Sequence, residues 1–193
     1  MARTPSTMLP LGTPAPSFSL PDTEGSTVTL EEFRDAPALV VMFVCNHCPF
    51  VKHIAEELAR FGRDAILKGV GVVAISSNDV ESHPQDSPEM MAKAKAEWDW
   101  PFPYLHDATQ EVAKAYRAAC TPDFYVFDGD GVLVYRGQFD DSRPGNDVPV
   151  TGRDLREAVN AVLRGDEVSQ DQTPSIGCNI KWTPGREPEY ARG

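Results

Sequence analysis

Ala38-Leu39-Val40-Val41-Met42-Phe43-Val44-Cys45-Asn46-His47-Cys48-Pro49 is the stretch on which the reading of this chain turns. Its first seven residues are uninterruptedly apolar, the pattern of a central strand covered on both faces. Beyond Pro49, the residues Val51, Ile54, Leu58, Phe61 and Ala65 recur at steps of three and four. That spacing lays one apolar stripe along a helix, with Lys52, Glu56, Glu57 and Arg60 on the opposite side. Proline suits a first helical turn, where its missing N–H loses no bond. Val70 to Ser76 reads as a second buried strand, so the three segments make a βαβ unit with parallel strands and a right-handed crossover.

Toward the N-terminus, Ser17–Leu20 and Thr27–Leu30 read as short strands about the turn Asp22-Thr23-Glu24-Gly25, and residues 1–15 as an irregular arm. Toward the C-terminus come a proline-punctuated insertion with a helical stretch from Glu89 to Trp98, a short strand at Phe102–Leu105 and a helix at Thr109–Ala118. Asp123–Phe127, the turn Asp128-Gly129-Asp130-Gly131 and Val132–Arg136 give the strongest hairpin signal. A last helix is expected near Thr151, read as its N-cap, with Leu155, Ala158, Val159, Val162 and Leu163 on one side. The organisation is then an arm over 1–15, one domain over 16–165 and a tail over 166–193 that packs on it.

The chain has 193 residues, enough for one domain with a proper core. Eighteen basic against 29 acidic side chains leave a formal charge of −11, which repels nucleic acid and acidic membrane surfaces, and no Lys/Arg cluster offers an exception. The opening residues lack an apolar stretch of signal-peptide length, so a cytoplasmic location is expected. In a reducing compartment permanent disulfides are rare, and a C-x-x-C there points to redox cycling or to a metal.

Cys45 falls at the carboxyl end of the buried strand and Cys48 in the first helical turn, a spacing that brings two sulfurs within bonding reach. The helix N-terminus favours a thiolate, here expected on Cys45, which attacks; Cys48, deeper in the helix, resolves the mixed disulfide. A protonated His47 between them would stabilise that thiolate further. The blander readings are small core thiols or zinc ligands. Pro122, just before the Asp123–Phe127 strand, is expected to be cis and to expose the Thr121 backbone for strand-like pairing with a substrate.

Several segments carry a family likeness. Gly12-Thr13-Pro14-Ala15-Pro16-Ser17-Phe18-Ser19-Leu20, the Cys45–Pro49 motif, Phe102-Pro103-Tyr104-Leu105-His106-Asp107 and Cys120-Thr121-Pro122-Asp123-Phe124 resemble the AhpC/TSA redoxins of the thioredoxin superfamily. The nearest likeness is to redoxins with a C-x-H-C-P motif and a terminal Gly-Cys-x-Ile-Lys-Trp, here Gly177 to Trp182. The resemblance implies an α/β thioredoxin fold with an N-terminal β extension, a peroxiredoxin-like insertion between the second core strand and the following helix, and a C-terminal tail. It implies Cys45 as nucleophile, Cys48 as resolver and Pro122 as the cis proline. Two departures stand out. Where peroxiredoxins carry P-x-x-x-[ST]-x-x-C, counting back from Cys48 gives Cys45 at the threonine place and Val41 at the proline place. Where thioredoxins keep a buried acid, this chain has Leu39.

Of the other cysteines, Cys120 and Cys178 are expected to pack as small buried thiols, with a further disulfide as the sharper reading. His53, with Cys45 and Cys48, is the weaker metal reading. Trp98, Trp100, Phe102 and Tyr104 are expected to pack the insertion on the core, and Asp140, Asp141 and Arg143 to solvate a loop. The function expected is thiol–disulfide exchange with a disulfide-containing protein or small molecule, re-reduced by a thiol reductant, with no cofactor and no resident metal. A thiol peroxidase using Cys45 and a copper or zinc carrier using the Cys45–Cys48 pair are the alternatives.

Overall fold

The computed structural model describes residues 3–191. In chain order the elements are β1 (Thr4–Pro5), β2 (Ser19–Pro21), β3 (Thr27–Thr29), β4 (Ala38–Phe43), α1 (Pro49–Leu67), β5 (Gly71–Ser76), α2 (Pro88–Glu97) and β6 (Tyr104–His106). They continue with α3 (Glu111–Ala115), β7 (Cys120–Thr121), β8 (Asp123–Asp128), β9 (Leu133–Gly137), α4 (Arg153–Arg164) and β10 (Ile176–Asn179).

Five strands form the central sheet in the order β6-β5-β4-β8-β9. β4 runs parallel to β5, and β5 to β6, whereas β8 and β9 are antiparallel additions. This is the mixed α/β sheet expected from the sequence. Every residue of β4 and β5 is buried, and alternation sends the two sets of side chains to opposite cores. Val40, Met42, Val72 and Ala74 pack with the α1 stripe and with Leu155 and Val159 of α4. Leu39, Val41, Phe43, Val73 and Ile75 pack on the other face with Tyr116, Tyr125 and the small β2–β3 hairpin. Trp100, Phe102 and Tyr104 are buried in the first core, with the Trp100 indole N–H on the Ala55 carbonyl at 3.1 Å. They pack the insertion down, as expected.

Three local readings change. The arm is not wholly irregular: β1 pairs antiparallel with β10, Thr4 opposite Gly177 and Pro5 opposite Ile176. Helix α4 is capped by Gly152 in the left-handed conformation (φ 64°) rather than by Thr151. The cause is Asp140, which is buried instead of solvating a loop; its Oδ2 accepts the N–H groups of Thr151 and Gly152, both at 2.6 Å. Finally, the 166–191 segment does not merely lie on the domain. Strand β10 is the middle of a three-stranded ribbon, β1-β10-β7, which carries the chain's late residues to the carboxyl end of β4.

Candidate active site

β4 ends at Phe43, and the backbone then delivers Cys45, Asn46 and His47 to the start of α1. Cys48 is the N-cap residue of that helix, in extended conformation (φ −69°, ψ 122°), with Pro49 in the first turn. The Thr121–Pro122 peptide is cis, and Thr121 faces the motif. Its hydroxyl lies 3.4 Å from Cys45 Sγ, and its carbonyl oxygen lies 3.2 Å from Cys48 Sγ. Both sulfurs are reduced, and both residues are buried, Cys45 at 1% exposure and Cys48 at 0%. The deeper position of Cys48 expected from the helix therefore does not separate the two.

The charge also falls differently from the expectation. Hydrogen bonding to Cys48, burial and the Asp86 carboxylate together push the Cys45 thiol well up. The same contact with Cys45 draws the Cys48 thiol down to about 5, against the effect of burial and with help from Cys178 and nearby backbone N–H groups. Cys48, not Cys45, sits on the helix end, where the partial positive charge is greatest. Cys45 stands three residues ahead of it and faces a carboxylate. Of the two coupled thiols, the lowered proton affinity thus falls on Cys48.

Asp86 is the residue the sequence reading missed. It arrives from the turn Pro84–Asp86, between β5 and α2, and is fully buried. Its carboxylate accepts the Asn46 N–H (2.8 Å), the Asn78 side-chain amide (2.8 Å) and His47 Nδ1 (2.6 Å). Burial alone would raise this carboxyl, but those bonds, His47 foremost, hold it below the ordinary range. Asn46 reaches back to the Gln85 carbonyl at 3.0 Å and receives the Tyr104 hydroxyl at 2.9 Å. The His47 ring is stacked on His83, centroids 5.4 Å apart. His47 is consequently held by Asp86 beside Cys45 instead of lying free between the two sulfurs. The only signal for Asp86 was its place in the proline-bracketed Pro84-Gln85-Asp86-Ser87-Pro88, which marks a rigid loop but not its target.

Donor atoms of Cys45, His47 and Asp86 lie within 4.8 Å of one another, so these three are the residues able to hold a metal among those described. The expected alternative through His53 does not form: its Nε2 bonds the Ser142 hydroxyl at 2.7 Å.

The tail supplies a third sulfur. Cys178 lies in register with Thr121, and Asn179 with Cys120. The Thr121 backbone, expected to be open for a substrate strand, is thus already paired with the chain's own β10. Cys178 Sγ lies 3.0 Å from Cys48 Sγ. Burial first, and then hydrogen bonding to Cys48, pushes its thiol up to about 12. Cys120 is buried with its sulfur toward the carbonyl oxygens of Pro122 (3.7 Å) and Ser175 (4.0 Å), and burial pushes its thiol up. That is the packing role expected of it.

The AhpC/TSA family model matches residues 11–136, a span that contains the motif and Pro122 but stops before β10. Peroxiredoxin Q of Sedum lineare is 31% identical over 141 residues, covering 66% of this chain and 69% of its own. The crystal structure of an uncharacterized conserved protein from Geobacillus kaustophilus is 57% identical and superposes with a TM-score of 0.93, over 95% of this chain and 98% of that one. The thioredoxin domain of a thiol-disulfide oxidoreductase from Bacteroides vulgatus shares the fold, at 21% identity and a TM-score of 0.61, over 79% and 99%.

Proposed function

The chain belongs to the AhpC/TSA family of thioredoxin-fold redoxins, and from that premise we propose that it is a thiol–disulfide oxidoreductase whose Cys45 and Cys48 cycle between dithiol and disulfide. The observation that carries the reading is the pair of buried thiols with opposed proton affinities at a strand-to-helix junction. Two thiols that hold one negative charge between them have a nucleophile and a proton ready together.

Cys45 is the entering sulfur, since Cys48 is enclosed by the helix end, the Thr121 carbonyl and Cys178. As Cys45 attacks one sulfur of a substrate disulfide, its proton passes to the Cys48 thiolate, and the other substrate sulfur leaves as a thiol or thiolate. Cys48, once deprotonated, attacks Cys45 in the mixed disulfide and releases the second half of the substrate. The cycle leaves Cys45–Cys48 oxidised and the substrate reduced, and an external thiol restores the pair. Both cysteines are covered in the resting fold, so the Pro84–Asp86 turn or the tail must yield for the substrate to enter.

Turnover of a small disulfide, assayed with an excess of monothiol, tests this. Cys48→Ser, treated with the disulfide in the absence of the monothiol, should accumulate a mixed disulfide on Cys45, and Cys45→Ser should abolish turnover; undiminished turnover in Cys45→Ser removes the reading. One observation favours a second activity, thiol peroxidation at Cys48 rather than at the expected Cys45: Cys48 has the lowered proton affinity, although the threonine and proline of the peroxiredoxin motif are replaced by Cys45 and Val41. Fast peroxide consumption that survives Cys45→Ser but not Cys48→Ser would select it.

A further inference from the structure

Strand β10 approaches the active site more closely than a loosely packed tail could. At Gly177 a Cβ atom would stand 1.9 Å from the Thr121 carbonyl oxygen, so only glycine allows the two backbones to meet there. The strand is pinned on both sides of the contact. Before it, the Ser6 N–H donates to the Ser175 carbonyl at 2.8 Å, and the Ser175 hydroxyl donates to the Pro122 carbonyl at 2.6 Å. After it, the Ile180 N–H meets the Ala119 carbonyl at 3.0 Å, and the Lys181 N–H meets Asn78 Oδ1 at 2.8 Å. Cys178 is therefore delivered to Cys48 by a framework, and the 3.0 Å between their sulfurs is a positioned contact. A movement of about 1 Å would bring them to the ~2.05 Å of a disulfide.

We propose that Cys178 is a third redox cysteine of this site and that Cys48 exchanges between two disulfide partners, Cys45 and Cys178. The proposal rests on the exchange reading of Cys45 and Cys48. After Cys45–Cys48 has formed at the expense of a substrate disulfide, the Cys178 thiolate attacks Cys48 Sγ. The Cys48–Cys178 bond forms, the Cys45–Cys48 bond breaks, and Cys45 leaves as a thiolate that takes up the proton Cys178 has lost. The step is an isomerisation: no electrons enter or leave the protein, and the two-electron oxidation comes from the substrate alone. Its direction is helped by chemistry already present. Burial first, and then hydrogen bonding to and repulsion by Cys48, hold the proton on Cys178 in the reduced protein; the two Cys48 contributions are relieved once Cys48 is in a disulfide, while the burial stays. The result is an oxidising equivalent stored on the tail, with Cys45 returned to the thiol state.

Disulfide mapping tests this on the full-length protein. The reduced chain is treated with bis(2-hydroxyethyl) disulfide, sampled over time, quenched with iodoacetamide, digested and read by mass spectrometry. The expected result is a Cys45–Cys48 peptide at early times that gives way in part to Cys48–Cys178. Cys178→Ser should stop at Cys45–Cys48, and Cys45→Ser, oxidised with diamide, should give Cys48–Cys178 alone. Wild-type protein that forms Cys45–Cys48 while Cys178 stays fully alkylated at equilibrium overturns the relay and leaves the exchange reading intact. Protein that never links Cys45 to Cys48 overturns the exchange reading, and the relay with it.

Discussion

Asp86 decides more about this site than either residue between the cysteines. Its carboxylate fixes the Asn46 N–H and the His47 ring, and its charge adds to the Cys48 contact and to burial in keeping a proton on Cys45. Replacing it with Asn removes the charge while keeping the shape. In Asp86→Asn the Cys45 thiol should ionise at a lower pH than in the wild type, read as thiolate absorbance near 240 nm in a Cys178→Ser background. An unchanged titration would mean that the carboxylate does not govern Cys45. The same change leaves the Asn46 and His47 donors with a weaker acceptor and should cost about 1–3 kcal/mol of stability, read from urea unfolding. Nothing in the run Cys45–Pro49 announced this residue. Spacing places two cysteines on one turn because the turn is local, but Asp86 comes from a loop 40 positions beyond Asn46. Which carboxylate such a loop buries is settled only by packing.

At the scale of elements, the legible parts were those with a period. The α1 stripe of Val51, Ile54, Leu58, Phe61 and Ala65 is buried as its spacing required, and β4 and β5 are covered on both faces as continuous apolar runs require. The β8–β9 hairpin follows from its Asp-Gly turn chemistry. What escaped was the ribbon of β1, β10 and β7, whose strands are two to four residues long. A strand that short has no alternation to read, and its pairing joins opposite ends of the chain. The glycine at its centre gives the element a sharp test. Gly177→Ala must push β10 off Thr121, so stability should fall by about 1–3 kcal/mol. Alkylation of Cys178 by iodoacetamide should quicken on the order of tenfold, the effect of easing local opening by about 1.4 kcal/mol. A rate equal to the wild type's would show that β10 is not held by that contact.

Over the whole molecule, the cost of a buried acid appears as a pH dependence. Asp123 begins β8, is fully buried, and receives the hydroxyls of Tyr125 at 2.9 Å and Ser6 at 3.2 Å; among the described residues its Oδ1 has no partner. Burial pushes this carboxyl up to about 7. A carboxyl raised on folding binds its proton more tightly in the native state, so its favourable contribution is complete below the ordinary carboxylate range, near pH 4. That contribution is lost as pH climbs through about 7. Between pH 5 and pH 8 the wild type should lose a few kcal/mol that Asp123→Asn keeps, measured as the difference between their urea midpoints at the two pH values. Equal slopes would mean that the acid is solvated when ionised.

The seat taken by β10 carries one more consequence. An edge that a protein has bonded to itself is closed to any polypeptide that must be gripped along its main chain, whereas a compact guest needs only the sulfur. Low-molecular-weight disulfides, which need only a small opening at the Pro84–Asp86 turn, should accordingly turn over faster than protein disulfides on the intact chain. Folded protein disulfides should react slowly until the last strand is loosened, for instance by Gly177→Ala. Comparing a glutathione-sized oxidant with an oxidised protein on both variants measures that filter directly.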